Sequence, residues 1–522
     1  MKTLQDVPTL SGGSFFSGHA NQFRVDRLGL FQRLHREHTD IAAFRVFQQP
    51  VVWLNSLELV HELLVTNVRS LAKSPGARFM FYPLTGEGLL TTDGERWRRQ
   101  RRLVAPFFAP SYIGEYLTAV RAVMIRWIDD LRDDQEIDVT REMTRVAMTV
   151  VSRALFGADT YHDADELGDA VTTFLDITSQ GSGSLSVMAK MVLFAAIDGL
   201  QGRGPGWMDS ARASLLEHLA YPPPLPTERD RRLRHALAVL SEHVQRMIAE
   251  RKATGLTRED ILTKLLLARD EDGNTMSDKQ VRDEVLTLFF AGHETTAMAL
   301  SWTLYQLSCY EEVYQRQLQE VDTLGGASPT LEDLARLPYT LAVFKETLRL
   351  KPPVYIFDRV AREAVTLGGH AFPAGTVFFV CPYTLHRRPD LWPDPERFDP
   401  ERFLPAGEAK RSRLAFLAFG AGPRICVGNH LAQMEGHLFL TLLAQRVRFS
   451  LVPGQTVVPN AVTTLRAPSP LLLRVHLRDR REEPADRRGN QVDVTRRGGA
   501  PSDRSCDSDP AATAWHRVKH RS

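Results

Sequence analysis

Ten residues constrain this chain more tightly than any others: FGAGPRICVG, residues 419–428, set directly ahead of an apolar-periodic stretch. Glycines at 420, 422 and 428 allow positive φ or a close approach of the backbone to something bulky. Pro423 stiffens the loop and Arg424 adds a fixed cation. Cys426 stands just before a helix predicted from about Asn429 through HLAQMEGHLFLTLLAQ. Amides at a helix start, together with the helix dipole, favour thiolate over thiol. A lone cysteine is ordinarily a small buried hydrophobe. Here its neighbours point instead to an anionic sulfur held ready as a ligand.

The remaining cysteines, Cys309, Cys381 and Cys506, are scattered and form no CxxC pair. That spacing excludes a disulfide framework and a structural zinc site, and fits a reducing cytoplasm. The N-terminal MKTLQDVPTLSGGSFFSGHA lacks the apolar run of a signal peptide. No stretch approaches the ~20 apolar residues that span a bilayer, so a soluble protein without a membrane anchor is expected. A formal net charge of +2 over 522 residues gives no reason to expect a nucleic-acid partner.

Short β-like runs (AAFRVF, QPVVWL) come early. Amphipathic helical stretches follow at about 112–132, 140–156, 229–254 and 278–323. Pro222, Pro223, Pro224 and Pro226 read as a rigid break between two helical blocks. After Lys351 the pattern turns to strands and loops, with one more helix at about 429–446. The fold class expected is therefore mainly α with a small β region. Residues 477–522, with eleven Lys/Arg against eight Asp/Glu and little to bury, read as a disordered charged tail on a catalytic domain of residues 1–476.

Three further constellations carry chemistry. AGHETTA, residues 291–297, lies inside a long helix whose start is marked by Ser277 and Gln280 as a capping box. From Asp278 to about Cys309 that helix spans roughly 48 Å. An acid–threonine pair within it is unusual, because Glu294 is costly to bury. In KETLRLKPP, Glu346 and Arg349 are three apart and share a helix face, and Pro352 and Pro353 end the helix. In GERWRRQRR, Trp97 and Arg101 are four apart on one face.

Taken in order, these strings resemble the cytochrome P-450 family. FGAGPRICVG fits FxxGxRxCxG at every fixed position, and AGHETTA fits (A/G)Gx(D/E)T(T/S). KETLR supplies ExxR, FDPERF its companion arginine, and WRRQR the WxxxR pair. The likeness covers residues from about 20 to 477, and the C-terminal tail is extra. The resemblance implies the family fold, a long central helix over a haem b with the cysteine loop beneath, and Cys426 as the axial sulfur of the iron. Arg424, Trp97, Arg101 and Arg359 would meet the propionates, with Phe419 a further cofactor contact. Glu294 and Thr295 would handle protons at bound dioxygen, and Gly292 would leave room for oxygen beside the helix. Glu346, Arg349 and Arg402 would form a structural network beneath the loop. Arg402 is preferred over Arg397 because F-x-P-E-R-F begins at Phe398.

The implied activity is monooxygenation: one oxygen atom from O2 enters an apolar small molecule such as a fatty acid, terpenoid or polyketide-like ligand. Electrons would come from a ferredoxin and an NAD(P)H-dependent ferredoxin reductase, or from a flavodoxin-type donor, to a monomeric enzyme of soluble bacterial type. A haem-thiolate enzyme that rearranges peroxides and a non-catalytic haem sensor are the alternatives. The intact Glu294–Thr295 pair argues against both. Pocket candidates are Phe79, Phe81, Tyr82, Leu84, Phe289, Phe290, residues 354–357 and residues 468–470. Arg98, Arg99 and Arg102 are expected to stay solvated and to form part of a docking patch for an acidic ferredoxin.

Overall fold

Ser277 sets the longest element. Its hydroxyl accepts from the Gln280 amide at 3.3 Å while Gln280 Oε1 accepts from the Ser277 amide at 2.9 Å. This reciprocal pair satisfies two donors that a helix start leaves open. The helix runs Asp278–Cys309, and buried apolar side chains such as Val281, Leu288, Leu300 and Trp302 fall on all its sides. A helix apolar all round must be enclosed by others. Helices Val139–Phe156, Glu228–Ala253, Pro338–Leu350 and Asn429–Arg446 do enclose it. The helical stretch expected over 278–323 is two helices, because the chain bends at Tyr310 before Glu311–Asp322.

This computed structural model describes residues 2–47, 49–158, 163–181, 185–199, 206–221, 227–258, 260–271 and 273–478. The prolines at 222–226 and the charged segment from 479 onward lie outside the described residues. Leu477 pairs with Val447 across two antiparallel strands, and Arg478 pairs with Asp322 at 3.2 Å. These two residues therefore belong to the packed body.

The β structure is small and set to one side. Strands Ile41–Val46 and Gln49–Leu54 pair antiparallel. Val377–Val380 joins the second in parallel, followed by Phe357–Ala361 and Leu71–Ala72, both antiparallel. Ala72 stands opposite Val360, and continuing that register brings Lys73 opposite Arg359. A two-stranded hairpin, Asn460–Ala461 with Leu465–Arg466, lies on the central helix. Its Leu465 carbonyl accepts from Trp302 Nε1 at 2.9 Å. The protein is thus mainly helical, with minor sheets and a hairpin that carries Arg466 to Glu294 of the central helix.

Candidate active site

The cysteine loop is folded tightly by its own backbone. The Cys426 amide donates to the Phe419 carbonyl at 2.9 Å, and the Ile425 amide to Gly422 at 3.0 Å. Gly422 has φ +69°, and a Cβ there would meet the Leu64 carbonyl, so only glycine closes this turn. The helix Asn429–Arg446 begins three residues after Cys426. Cys426 is exposed at its surface, and the Gly428 amide and the Arg101 charge favour its thiolate against desolvation by the surrounding protein.

Arg101 has the Cys426 sulfur as an electrostatic neighbour. A second cluster, which includes Arg424 and Trp97, gathers around Asp93. Arg424 is ion-paired to Asp93 and lies 4.2 Å over the Trp97 ring. Arg362 lies 3.7 Å from Asp93, and the Lys73 amide donates to Asp93 Oδ2 at 3.0 Å. Arg359 is enclosed beside this group, its Nη1 donating to the Asp358 carbonyl at 2.6 Å. Arg424, Arg359 and the exposed Arg362 thus gather around Asp93, and Arg424 Nη1 is buried with no hydrogen-bond partner. Clustered arginines with an unused donor fit an anionic group such as the propionates of haem. Sequence reasoning missed Asp93 and Lys73.

Halfway along the central helix, Ala291 and Thr295 present accessible surface while Thr296, Ala297 and Met298 are buried. The Thr295 hydroxyl donates back to the Ala291 carbonyl at 2.8 Å. Glu294 turns away from that face. Its Oε1 accepts from Thr464 Oγ1 and from Arg466 Nε, both at 2.8 Å. Burial alone would raise its pKa, but Arg466, His293 and Thr464 together hold it below the ordinary value. His293, beside Glu294, is wholly enclosed with neither ring nitrogen partnered. Burial pushes its pKa down to about 4.

Gly292 requires a correction. A Cβ at this position would lie 2.9 Å from Val151 Cγ2. The missing side chain lets helix Val139–Phe156 pack against the central helix, which is a packing role and not the making of space for oxygen.

Beneath the loop, Glu346 and Arg349 form a fully enclosed fork, Nε to Oε2 at 2.7 Å and Nη2 to Oε1 at 2.8 Å. Arg402 Nε stands 3.5 Å from Glu346 Oε1, whereas Arg397 contributes only its carbonyl, to Arg349 Nη2 at 3.0 Å. His386, unremarked in the sequence, joins this group to the cysteine loop.

Among the pocket candidates, Tyr82 is buried in a separate cluster with Phe194 and Leu216. Phe289 packs toward His243, and the Tyr355 hydroxyl donates to the Val462 carbonyl at 2.8 Å. These are core. Phe81, Phe290 and Phe174 form a continuous aromatic set, with centroids 5.5 and 6.4 Å apart. Arg98 and Arg102 are exposed, as expected, and pair with the exposed acids Glu95 and Glu271, whereas Arg99 is half-buried and pairs with Asp270 at 2.7 Å.

The family model described as Cytochrome P450 matches residues 8–475. A cyclooctatin synthase of Streptomyces melanosporofaciens is 33% identical over 459 residues, 87% of this chain and 93% of that protein. A pentalenene oxygenase of Streptomyces avermitilis is 31% identical over 88% of this chain and 95% of its own length. Among solved structures, retinoic acid bound cyanobacterial CYP120A1 is similar with a TM-score of 0.75 and 26% identity, covering 90% of this chain and 99% of that one. Among the described residues no helix is long and apolar enough to cross a membrane.

Proposed function

The chain belongs to the cytochrome P450 family, a family of haem-dependent monooxygenases, and on that premise we propose that it oxygenates an apolar terpenoid with electrons from a ferredoxin and its NAD(P)H-dependent reductase. Haem b, when bound, supplies the activation of dioxygen. Cys426 would hold the iron, with the Gly428 amide and Arg101 favouring charge on sulfur. Arg424, stacked on Trp97, would hold a propionate together with Arg359.

One observation carries the reading. Thr295 is accessible in the middle of an otherwise buried helix, and a charged acid, Glu294, is held directly beside it in the sequence. The Thr295 hydroxyl can release the Ala291 carbonyl and pass a proton at Oγ1. Glu294 can supply that proton once it turns from Arg466. The enclosing helices exclude bulk water from this exchange, which suppresses proton leakage. Phe81, partly accessible and packed against the buried Phe290, offers an apolar aromatic surface suited to a hydrocarbon skeleton. The names of the relatives and the retinoic acid held by the structural neighbour support a terpenoid over a fatty acid.

The test begins with the haem-loaded protein, reduced and exposed to carbon monoxide. A strongly red-shifted Soret band is expected, and its absence from fresh, fully loaded protein overturns the thiolate assignment. Sesquiterpene and diterpene hydrocarbons are then screened for a spin-state change, with fatty acids as the comparison. Binding confined to fatty acids overturns the substrate class. With a bound terpene and a surrogate ferredoxin pair, Thr295→Ala is expected to consume NADPH while releasing peroxide in place of product. Unchanged coupling overturns the role of Thr295.

A further inference from the structure

Arg466 holds two carboxylates at once. Its Nε donates to Glu294 Oε1 at 2.8 Å and its Nη1 to Asp176 Oδ1 at 2.8 Å. The three groups come from three separate elements: the central helix, the 460–466 hairpin, and helix Ala164–Gly181. Their exposure is graded. The Glu294 side chain is 3% accessible, Arg466 is 11% and Asp176 is 43%. The chain thus runs from the enclosed centre of the molecule to solvent in two contacts. Arg466 Nη2 is buried without an acceptor, so the guanidinium has an unused donor with which to shift toward either side.

A single guanidinium cannot neutralise two carboxylates. Whichever acid is ionised and closer draws the shared charge from the other. Glu294 must carry a proton in order to give one, yet the pairing seen here keeps it ionised. Resting on the reading of Glu294 as the proton-donating acid, we propose that Asp176 is a positioning residue which, by competing for Arg466, sets how readily Glu294 takes up and releases its proton. An ionised Asp176 draws Arg466 outward and lets Glu294 protonate. A neutral or displaced Asp176 leaves Arg466 to Glu294 and holds the acid as carboxylate. The placement of helix Ala164–Gly181 therefore reaches Glu294 without any direct contact between them.

The charged groups around this pair are few. Asp176 feels Arg466 and Glu294, and also Arg232 from helix Glu228–Ala253. Glu294 feels Arg466 from the hairpin and His293 from its own helix, with Thr464 as its hydroxyl partner. Burial and Glu294 raise the Asp176 pKa against the pull of Arg466, as expected for the outer member of a pair sharing one cation.

The test uses the haem-loaded full chain with a surrogate ferredoxin and reductase, no substrate added, and follows NADPH oxidation against pH. A rate that needs protonated Glu294 falls as pH rises through the pKa of that acid. Asp176→Asn leaves Arg466 to Glu294 alone, so the falling limb is expected about one pH unit lower, with a larger solvent isotope effect. Asp176→Glu is expected to restore the limb, which loss of a merely structural contact would not predict. A second readout needs no turnover: in the resting protein the infrared band of the protonated Glu294 carboxyl, identified by its loss in Glu294→Gln, is expected to titrate at lower pH in Asp176→Asn. If Glu294→Gln changes the limb while Asp176→Asn moves neither limb nor band, the competition for Arg466 is overturned and the role of Glu294 stands. If Glu294→Gln leaves the limb unmoved, the donor role falls. The band alone then decides, and its immobility in Asp176→Asn overturns the proposal.

Discussion

His386 Nε2 accepts a hydrogen bond from the Leu417 amide at 2.8 Å, while its Nδ1 faces the Arg349 carbonyl at 3.0 Å. The two contacts fix the tautomer, with the proton on Nδ1. Arg349 returns a bond from Nη1 to the His386 carbonyl at 2.8 Å. Because Leu417 also accepts from the Gly420 amide at 3.0 Å, one neutral imidazole connects the Glu346–Arg349 fork to the first turn of the cysteine loop. Burial drives the His386 pKa down to about 3, so it stays neutral under ordinary conditions.

Replacing this ring by an apolar one of similar bulk strands two buried backbone groups. His386→Leu is expected to cost about 2–5 kcal/mol, the penalty for leaving a donor and an acceptor unpaired. It should also loosen the loop that presents Cys426. Denaturant unfolding measures the first effect. The second appears as a larger share of protein whose reduced, carbon monoxide-treated form lacks the red-shifted band. A variant as stable as the parent would show that the imidazole is incidental to the loop.

Arg424 is held from one side by Asp93 and from another by the Trp97 ring, and still has a buried Nη1 without a partner. Arg424→Leu removes the donor and leaves Asp93 enclosed with less positive charge around it. Haem should then transfer to an excess of apomyoglobin at least about tenfold faster, the loss of roughly one charge-assisted hydrogen bond. Arg424→Lys should recover only part of this, because an ammonium neither stacks on Trp97 as a plane nor bonds in a fork. Equal transfer rates in parent and variants would remove Arg424 from the cradle.

Sequence spacing revealed whatever was local. The Ser277–Gln280 cap, the Glu346–Arg349 face and the loop around Cys426 are each set within four to ten residues, and the structure holds them as spaced. What escaped depends on distant partners. Asp93, just ahead of a glycine and a helix, looks like an ordinary cap. It makes no cap hydrogen bond, because its carboxylate is turned to Arg424 331 residues away. Arg466 and Asp176 are 290 residues apart, and nothing in either neighbourhood marks them as a pair. Cys426 shows the same division. The helix start is visible in sequence, but the Arg101 charge that favours the thiolate from a distant helix is not.

Two acids titrate far from their ordinary range, and one gives a clean pH experiment. Glu435, on the helix after the cysteine loop, has a single long contact, from Thr296 Oγ1 at 3.5 Å, and burial pushes its pKa up to about 8. Its folded pKa is raised above the unfolded value, so the stability linked to its proton is fully present below about pH 4.5 and is lost as pH rises through about 8. Glu435→Gln keeps a neutral side chain at every pH. The difference in Tm between variant and parent should therefore shift steadily in favour of Gln from about pH 5 to 8 and level off above that. A pH-independent difference would mean that Glu435 is ionised in the folded protein throughout.

Gly292 decides between two readings of the same residue. If it makes room beside the reacting face, adding a methyl should disturb ligands there and leave the fold intact. The structure instead puts the added carbon 2.9 Å from Val151 Cγ2 and makes no other contact closer than 3.8 Å. Val151 is a buried side chain of helix Val139–Phe156, the element packed most closely along the central helix. Gly292→Ala should thus overpack this seam and cost about 1–3 kcal/mol. Val151→Ala should itself cost about 1–3 kcal/mol, through the cavity it leaves. Combined, the two fit one another: the new methyl enters the space the valine vacated, and the double variant should be more stable than the sum of the single losses predicts. Denaturant unfolding of the four proteins gives the coupling directly. Strict additivity, together with altered carbon monoxide binding in Gly292→Ala alone, would return this glycine to the oxygen face.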